Sequence, residues 1–438
     1  MQPQTKTERV YSFITGESEA RVCADLPESA CTNIPRNFLL NAASGTCSKL
    51  AEALANPGLV LTWLLASLGA PASLTGLLVP VRQAGSLLPQ LAISGQIRRA
   101  EKRKWFWAGA GLVQAASLAL MVVAATSFSG VTAGALIVAM LAVFSLASGV
   151  GSVGFNDVVG KTIPKGRRGS LLASRATSGG LLALAAGLLI KNYLGKEASL
   201  TPYLLLVGAS AILWVMASIL FGSIREDPGA TSGGRNAFAE LRAGLAQMRA
   251  HPDFAKFILA RCFLLPIELA LPFYALLARE YGGDAIGNLG IFLTATAMAD
   301  VLSNPFWGRF ADRSSRLVMI LAGLLAALTG VYALGLDLLP KDGPSLLNAV
   351  MFLGIGFAQA GIRVGRKTYL INLAPKTERP LYAALANTIV GLVALAGSGL
   401  GLLAEAYSLQ LVIVILIALP LVGALISLRL PNLEEKNS

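Results

Sequence analysis

The chain has 438 residues, of which 55% are hydrophobic and 14% charged, against about 25% charged in soluble domains. Its mean hydropathy is +0.64, and apolar runs of about 20 residues recur along most of the length, more than an aqueous fold can bury. That excludes a soluble enzyme, a disordered tail and a coiled coil. The net charge is +12, but the basic residues are strung between apolar runs rather than gathered on one face, which argues against nucleic acid.

In chain order, residues 1–36 read as a cytoplasmic N-terminal segment, with no apolar run of the length a secretory signal needs. Twelve apolar runs then read as membrane-spanning helices: 37–68, 72–94, 105–126, 132–157, 169–190, 201–223, 255–277, 285–306, 317–338, 345–369, 381–404 and 408–430. The predicted fold is an all-α polytopic membrane protein. Span 1 is too long for one straight crossing, and Pro57-Gly58 is expected to break it. Pro266 and Pro272 are expected to kink span 7. Between spans 6 and 7, residues 224–254 form a cytoplasmic linker, with a flexible run from Pro228 to Arg235 and a helical stretch from Phe238 to Arg249. Six-helix halves are thus expected at 37–223 and 255–430, with a cytoplasmic tail at 431–438.

Lys and Arg in short loops stay cytoplasmic, so their distribution tests the span count independently. The loops after spans 2, 4, 6, 8 and 10 hold the bulk of them, with Arg98, Arg99, Lys102, Arg103 and Lys104 in the first. Loops of opposite parity hold only Lys191, Lys196, Arg279 and Lys341. One missed or invented span would scramble this asymmetry. Both termini are therefore expected in the cytoplasm, with the protein in the inner membrane.

The chain also repeats itself. A shift of 211 residues aligns 153–185 with 364–396 without a gap and matches 12 of 33 positions, among them Pro164 with Pro375, Arg168 with Arg379, and Gly180-Leu181 with Gly391-Leu392. Spans 4 and 5 fall on spans 10 and 11, giving two six-helix pseudo-repeats in parallel orientation, an architecture of alternating-access transporters.

Between spans 8 and 9 stands Gly308-Arg-Phe-Ala-Asp312-Arg313-Ser-Ser-Arg316. It resembles the Gly-x-Leu-Ala-Asp-Arg-x-Gly-Arg-Arg signature of the major facilitator superfamily, although Ser315 replaces its second glycine and Leu317 its last basic residue. Twelve spans, the repeat and the basic central loop extend the resemblance over nearly everything after residue 36. It implies that Gly308 lets two helix ends approach, and that Asp312, Arg313 and Arg316 latch the halves on the cytoplasmic side. Asp157 and Arg175, near cytoplasmic helix ends, are further gate or latch candidates.

An ionisable group at mid-bilayer costs about 2.5 to 3.5 kcal/mol on insertion scales, so each one is a functional candidate. Lys49 and Glu52 lie three apart in span 1, Arg82 near the middle of span 2, and Arg261 and Glu268 seven apart on one face of span 7. Asp300 lies two turns inside span 8, and Gln359 and Arg363 one turn apart in span 10. Spans 1, 4, 7 and 10 line the cavity in the resembled family, which implies that Lys49, Glu52, Arg261, Glu268, Gln359 and Arg363 face a site for a substrate or proton; Arg82 and Asp300 join them as candidates by their depth in the membrane. Arginines suit an anionic solute, and a carboxylate in a low-dielectric cavity can load and release a proton between states.

Other motifs are declined. Gly149-Val-Gly-Ser-Val-Gly154 matches a dinucleotide fingerprint but lies in an apolar run, where small residues serve helix packing. A single histidine, His251, and four scattered cysteines make no metal site. No set of nucleophile, base and orienting group comes together, and no cofactor is implied. The sequence reads as a secondary transporter and not an enzyme, its partners a small-molecule solute, a coupling ion (a proton) and the bilayer. A receptor on the same fold and an exporter of amphipathic compounds remain alternatives. Substrate, direction and oligomeric state stay open.

Overall fold

The computed structural model describes residues 11–12, 33–90, 93, 97, 99–164, 167–193, 199–228, 237–282, 286–336, 345–375 and 378–433. Among these the architecture is all-helical. In chain order the helices are α1 (Ile34–Leu54), α2 (Val60–Ser67), α3 (Ala72–Leu87), α4 (Lys104–Ser127), α5 (Gly130–Thr162), α6 (Arg168–Tyr193) and α7 (Thr201–Gly222). The linker helix α8 (Ala237–Ala250) follows, then α9 (Pro252–Leu264), α10 (Pro266–Leu269), α11 (Leu271–Gly282), α12 (Ile286–Gly335), α13 (Ser345–Leu373), α14 (Arg379–Ala396), α15 (Gly399–Ala406) and α16 (Leu409–Leu428).

Among the described residues, eight helical segments are each long and apolar enough to cross a bilayer: 104–127, 130–162, 168–192, 201–222, 305–335, 346–373, 381–406 and 409–428. Of the other predicted spans, 1 and 7 are broken, span 2 contains α3, and span 8 is the first part of α12. Span 1 is α1 plus α2, interrupted at Pro57-Gly58 as expected; there Asn56 Oδ1 accepts from Gly58 N at 2.9 Å and Thr62 Oγ1 donates to Pro57 O at 3.0 Å. Those bonds satisfy backbone groups that the missing helical turn would otherwise orphan. Span 7 is the three-piece run α9 to α11, each later piece opening at or next to a proline.

One boundary differs from expectation. Residues 307–316, read as a loop, are helical up to Arg313, and the single non-helical residue is Ser314 (φ −162°, ψ 104°). Its hydroxyl accepts from Leu317 N at 3.3 Å and so caps the returning helix. Glycines of α13 show the reversal: Gly356 packs on Ala299 and Gly361 on Trp307, while Gly365 packs on Met319 and Gly354 on Thr329. Residue numbers rise along one contacting strand of α12 and fall along the other, so spans 8 and 9 are antiparallel and both press on span 10.

Apolar side chains face outward as well as inward. On α7, Leu205, Ile212 and Ile219 are spaced by seven and are each about 60% exposed. Such a stripe is stable only against hydrocarbon. Inside, Trp107 stacks on Phe221 at 4.2 Å and Phe292 on Phe352 at 4.4 Å.

The end of the bundle carrying Arg103, Lys161 and Arg316 is termed the basic face. The halves meet along two seams, α3 with α14 and α15, and α6 with the first part of α12. At the opposite face the seams are tight: Gly76 and Gly401 bring two backbones together, Gly187 abuts Thr294, Gly58 abuts Leu271, and Trp63 meets Phe292 edge-on at 6.0 Å. Ser73 N donates to Glu405 Oε2 at 3.0 Å across the same seam. The linker helix α8 docks on the C-terminal half, with Gly244 against Leu385 and Gln247 Nε2 donating to Glu378 Oε1 at 3.3 Å.

Candidate functional site

In the N-terminal half, three predicted residues come together. Lys49 Nζ lies 2.8 Å from Glu52 Oε2, and Arg82 NH2 lies 3.5 Å from Glu52 Oε1. The i, i+3 spacing on α1 sets the first pair; Arg82 arrives from α3 and lays its guanidinium over the Phe144 ring, 5.2 Å from the centroid. Gly179 of α6 lets that helix close against the stem of Lys49. Arg175, expected at a gate, is buried within its own half. It donates to Asn41 O at 2.9 Å and to Asn41 Oδ1, lies over Phe155 at 4.5 Å, and fits because Gly45 offers no side chain.

In the C-terminal half, the predicted residues pair in a way that helix register did not reveal. Arg261 and Glu268 lie within electrostatic range of each other, but their direct partners come from other helices. Arg261 NH2 donates to Asn387 Oδ1 of α14 at 2.8 Å. Glu268, 8% exposed, receives Arg366 NH2 of α13 at 3.1 Å on Oε1, while its Oε2 has no partner. Gln359 Nε2 donates to Ile267 O at 3.1 Å and so pins the broken segment that carries Glu268. Arg363 pairs with Asp300 of span 8. On that helix the exposed apolar residues Met298 and Leu302 stand two positions either side of Asp300, a helical register that turns them away from it.

Arg366, Asn387 and Asn41 were not predicted. Arg366 had a sequence signal, since 359, 363 and 366 form one stripe on α13 at i, i+4, i+7. The asparagines had none. Together they give the halves a related motif with its partners exchanged: the arginine comes from span 5 to an asparagine of span 1 in the first half, and from span 7 to an asparagine of span 11 in the second. Removing the asparagine leaves a buried guanidinium short of an acceptor, which costs about 1 to 3 kcal/mol and more for a charged group. Asn387→Leu is therefore expected to lower the melting temperature of the purified protein sharply. Arg261→Met in the same chain should recover most of the loss, and no recovery would show that the pair is not the cause.

The signature residues contact their own half in this conformation. Arg316 NH1 donates to Leu430 O at 2.8 Å, Asp312 and Arg313 are exposed, and a Cβ on Gly308 would meet nothing within 4 Å. The close helix approach that the resemblance implied at Gly308 is thus absent here. Asp157 Oδ2 receives Arg103 NH1 at 3.0 Å. Beside it the buried carboxylate of Glu226 accepts from the backbone nitrogens of Arg103 (3.0 Å) and Lys104 (2.8 Å) and from Lys161 Nζ (2.9 Å). This carboxylate closes the N-terminus of α4, where two backbone donors point out of the helix. Among the described residues no cluster of His, Cys, Asp and Glu could hold a metal.

Residues 257–438 match the sequence profile of the Major Facilitator Superfamily. An uncharacterized protein of Mycobacterium tuberculosis (strain H37Rv) is 25% identical over 366 residues, 82% of this chain and 70% of the relative. Among solved structures, a variant of the nucleoside transporter NupG superposes with a TM-score of 0.70 at 13% identity, over 90% of this chain and 99% of that one. A D-xylose-proton symporter does so with a TM-score of 0.70 at 14% identity, over 90% and 98%. With the profile match over residues 257–438 and the shared fold, the chain is an all-helical, multi-pass membrane protein similar in fold to transporters of the major facilitator superfamily.

Proposed function

We propose that the protein moves a small polar or anionic solute across the inner membrane by alternating access, with a proton as the coupling ion. The observation that carries this reading is Glu268: a buried carboxylate beside a helix break, with one oxygen on Arg366 and the other unpartnered. Protonation at Oε2 neutralises the carboxylate and frees the Arg366 guanidinium for an anion. Deprotonation restores the ion pair. Asp300 with Arg363, and Glu52 with Lys49 and Arg82, repeat the same chemistry on other walls. Gln359 and Arg261 hold the C-terminal wall in place.

With the basic face in the cytoplasm, both termini are cytoplasmic and the conformation is closed toward the outside. The six-helix halves at 37–223 and 255–430 act as the rocking bodies. Gly308, Asp312, Arg313, Arg316, Asp157 and Arg175 serve the opposite state as gate or latch residues. The D-xylose-proton symporter of like fold is named for proton coupling, which supports the choice of ion.

The test is flux. Purified protein in proteoliposomes, given labelled small metabolites and an imposed pH gradient, is expected to show saturable accumulation that a protonophore collapses. Ligand-dependent thermal stabilisation without flux for any solute would favour a receptor instead.

A further inference from the structure

A cavity of about 320 Å³ lies between α3 and α5, lined by Arg82, Gln83, Ser86, Gln90, Ser148 and Ser152. In a chain that is 55% hydrophobic, a pocket wall with six polar residues and no apolar one is a built feature. The spacing explains it. Arg82 and Ser86 on α3, with Gln90 just past its end, recur every four residues, and Ser148 and Ser152 do so on α5, so the serine pair forms a stripe on one helix face. Gly85 and Gly149 bring the two helices together beside these residues, with Gly85 against Ser145 and Gly149 against the carbonyl oxygens of Gly85 and Ser86.

The wall is rich in donors. Ser86 Oγ spends its proton on Gln83 O at 2.9 Å, but Gln90 uses only one amide N–H, on Ser86 O at 2.8 Å. Phe144 holds the Arg82 guanidinium by its face, and Glu52 touches it through NH2 alone at 3.5 Å, which leaves edge N–H groups for another acceptor. A guanidinium edge fits a carboxylate fork. The hydroxyls of Ser148 and Ser152 both donate and accept, as a polyol requires. The volume stands at the lower end of the range for small-molecule pockets, roughly 300 to 1,000 Å³.

We infer that this cavity is a solute subsite for a polyhydroxylated monocarboxylate of sugar-acid size, its carboxylate on Arg82 and its hydroxyls on Ser148, Ser152 and the two glutamine amides. The site rests on the transporter reading and gives it a substrate class. It also reaches the seam between the halves, because Gln90 Oε1 accepts from Asn387 Nδ2 at 3.4 Å, and Asn387 holds Arg261. A hydroxyl that recruits the Gln90 amide competes with that cross-half contact, so occupancy is felt by the C-terminal half.

The test is equilibrium binding to the purified full-length chain, read as the shift of melting temperature with ligand concentration. The probes are D-gluconate, D-glucitol with the hydroxyls but no carboxylate, and hexanoate with the carboxylate alone. Gluconate is expected to bind at least about 10-fold tighter than either control. Arg82→Gln should weaken gluconate about 10- to 100-fold, as expected for a hydrogen-bonded charge, and leave glucitol unchanged. Ser152→Ala, at an exposed position, should weaken gluconate and glucitol alike by about 3- to 10-fold; it also serves as the readout if Arg82→Gln fails to fold. Equal affinity for gluconate and glucitol, no stabilisation by gluconate, or an Ser152→Ala chain with unchanged affinity would overturn the proposal. Gradient-driven flux of other solutes without gluconate binding removes the subsite and leaves the transporter standing, whereas gluconate binding without flux of any solute does the reverse.

Discussion

Glu268→Gln is expected to abolish solute accumulation driven by a pH gradient while solute exchange at equal concentrations across the vesicle wall persists. Glutamine keeps the size of the side chain and mimics the protonated carboxyl, so the helix break pinned by Gln359 survives while the proposed proton acceptor is gone. Arg366, which the carboxylate now holds at 3.1 Å, is left permanently released. Exchange needs only binding and reorientation of the loaded carrier, whereas accumulation needs the proton to leave between strokes. An initial rate of gradient-driven uptake at least about 100-fold below wild type corresponds to some 2.7 kcal/mol of lost coupling. Uptake that stays fully dependent on the pH gradient in this variant would remove Glu268 from the scheme and leave Glu52 or Asp300 as the proton site.

The second large effect is expected from Gly401→Leu at the opposite face. A Cβ on Gly401 would stand 2.9 Å from both Gly76 Cα and Ser73 O, and these are backbone atoms that cannot rotate aside. Overpacking of this kind costs about 1 to 3 kcal/mol. The cost falls on the conformation that keeps the seam shut, because α3 and α15 part when that face opens. The ratio of open to closed forms at this face should therefore rise roughly 5- to 150-fold. A cysteine placed at Ser148, in the cavity, would report the change as faster labelling by a membrane-impermeant thiol reagent added from the outer face. Labelling no faster than in the single-cysteine parent would mean that the Gly76 and Gly401 contact is not part of the gate.

The helix inventory was legible because hydrocarbon imposes a coarse rule: runs of about 20 apolar residues announce themselves, and prolines at 57, 266 and 272 mark their breaks. The junction at Ser314 was not legible. Ten residues, six of them polar or charged, read as a loop, yet nearly all of them continue the helix into the aqueous layer, and the reversal needs a single extended residue. For the site, the cost of burying charge identified Glu52, Arg82, Arg261, Glu268, Asp300 and Arg363 as residues with a role to explain. It could not identify their partners. Pairing within one helix follows from spacing, as for Lys49 with Glu52, but spacing does not name partners on other helices, as for Arg261 with Asn387 and Glu268 with Arg366. The serines and asparagines that complete the geometry carry no charge and occur throughout membrane helices as packing residues, so the serine stripe beside Arg82 did not stand out before the helices were seen side by side.

The turn at Ser314 has a mechanical consequence. With one extended residue between them, spans 8 and 9 have no slack and move as a stiff hairpin whose tip carries Asp312 and Arg313. Thirteen residues separate Asp300 from that tip along unbroken helix, a lever arm of about 20 Å at 1.5 Å per residue. A tilt of about 10° around Asp300 displaces the tip by roughly 3 Å, the length of a hydrogen bond. A small rearrangement of the Asp300 and Arg363 pair in the membrane is thus enough to make or break a polar contact at the basic face.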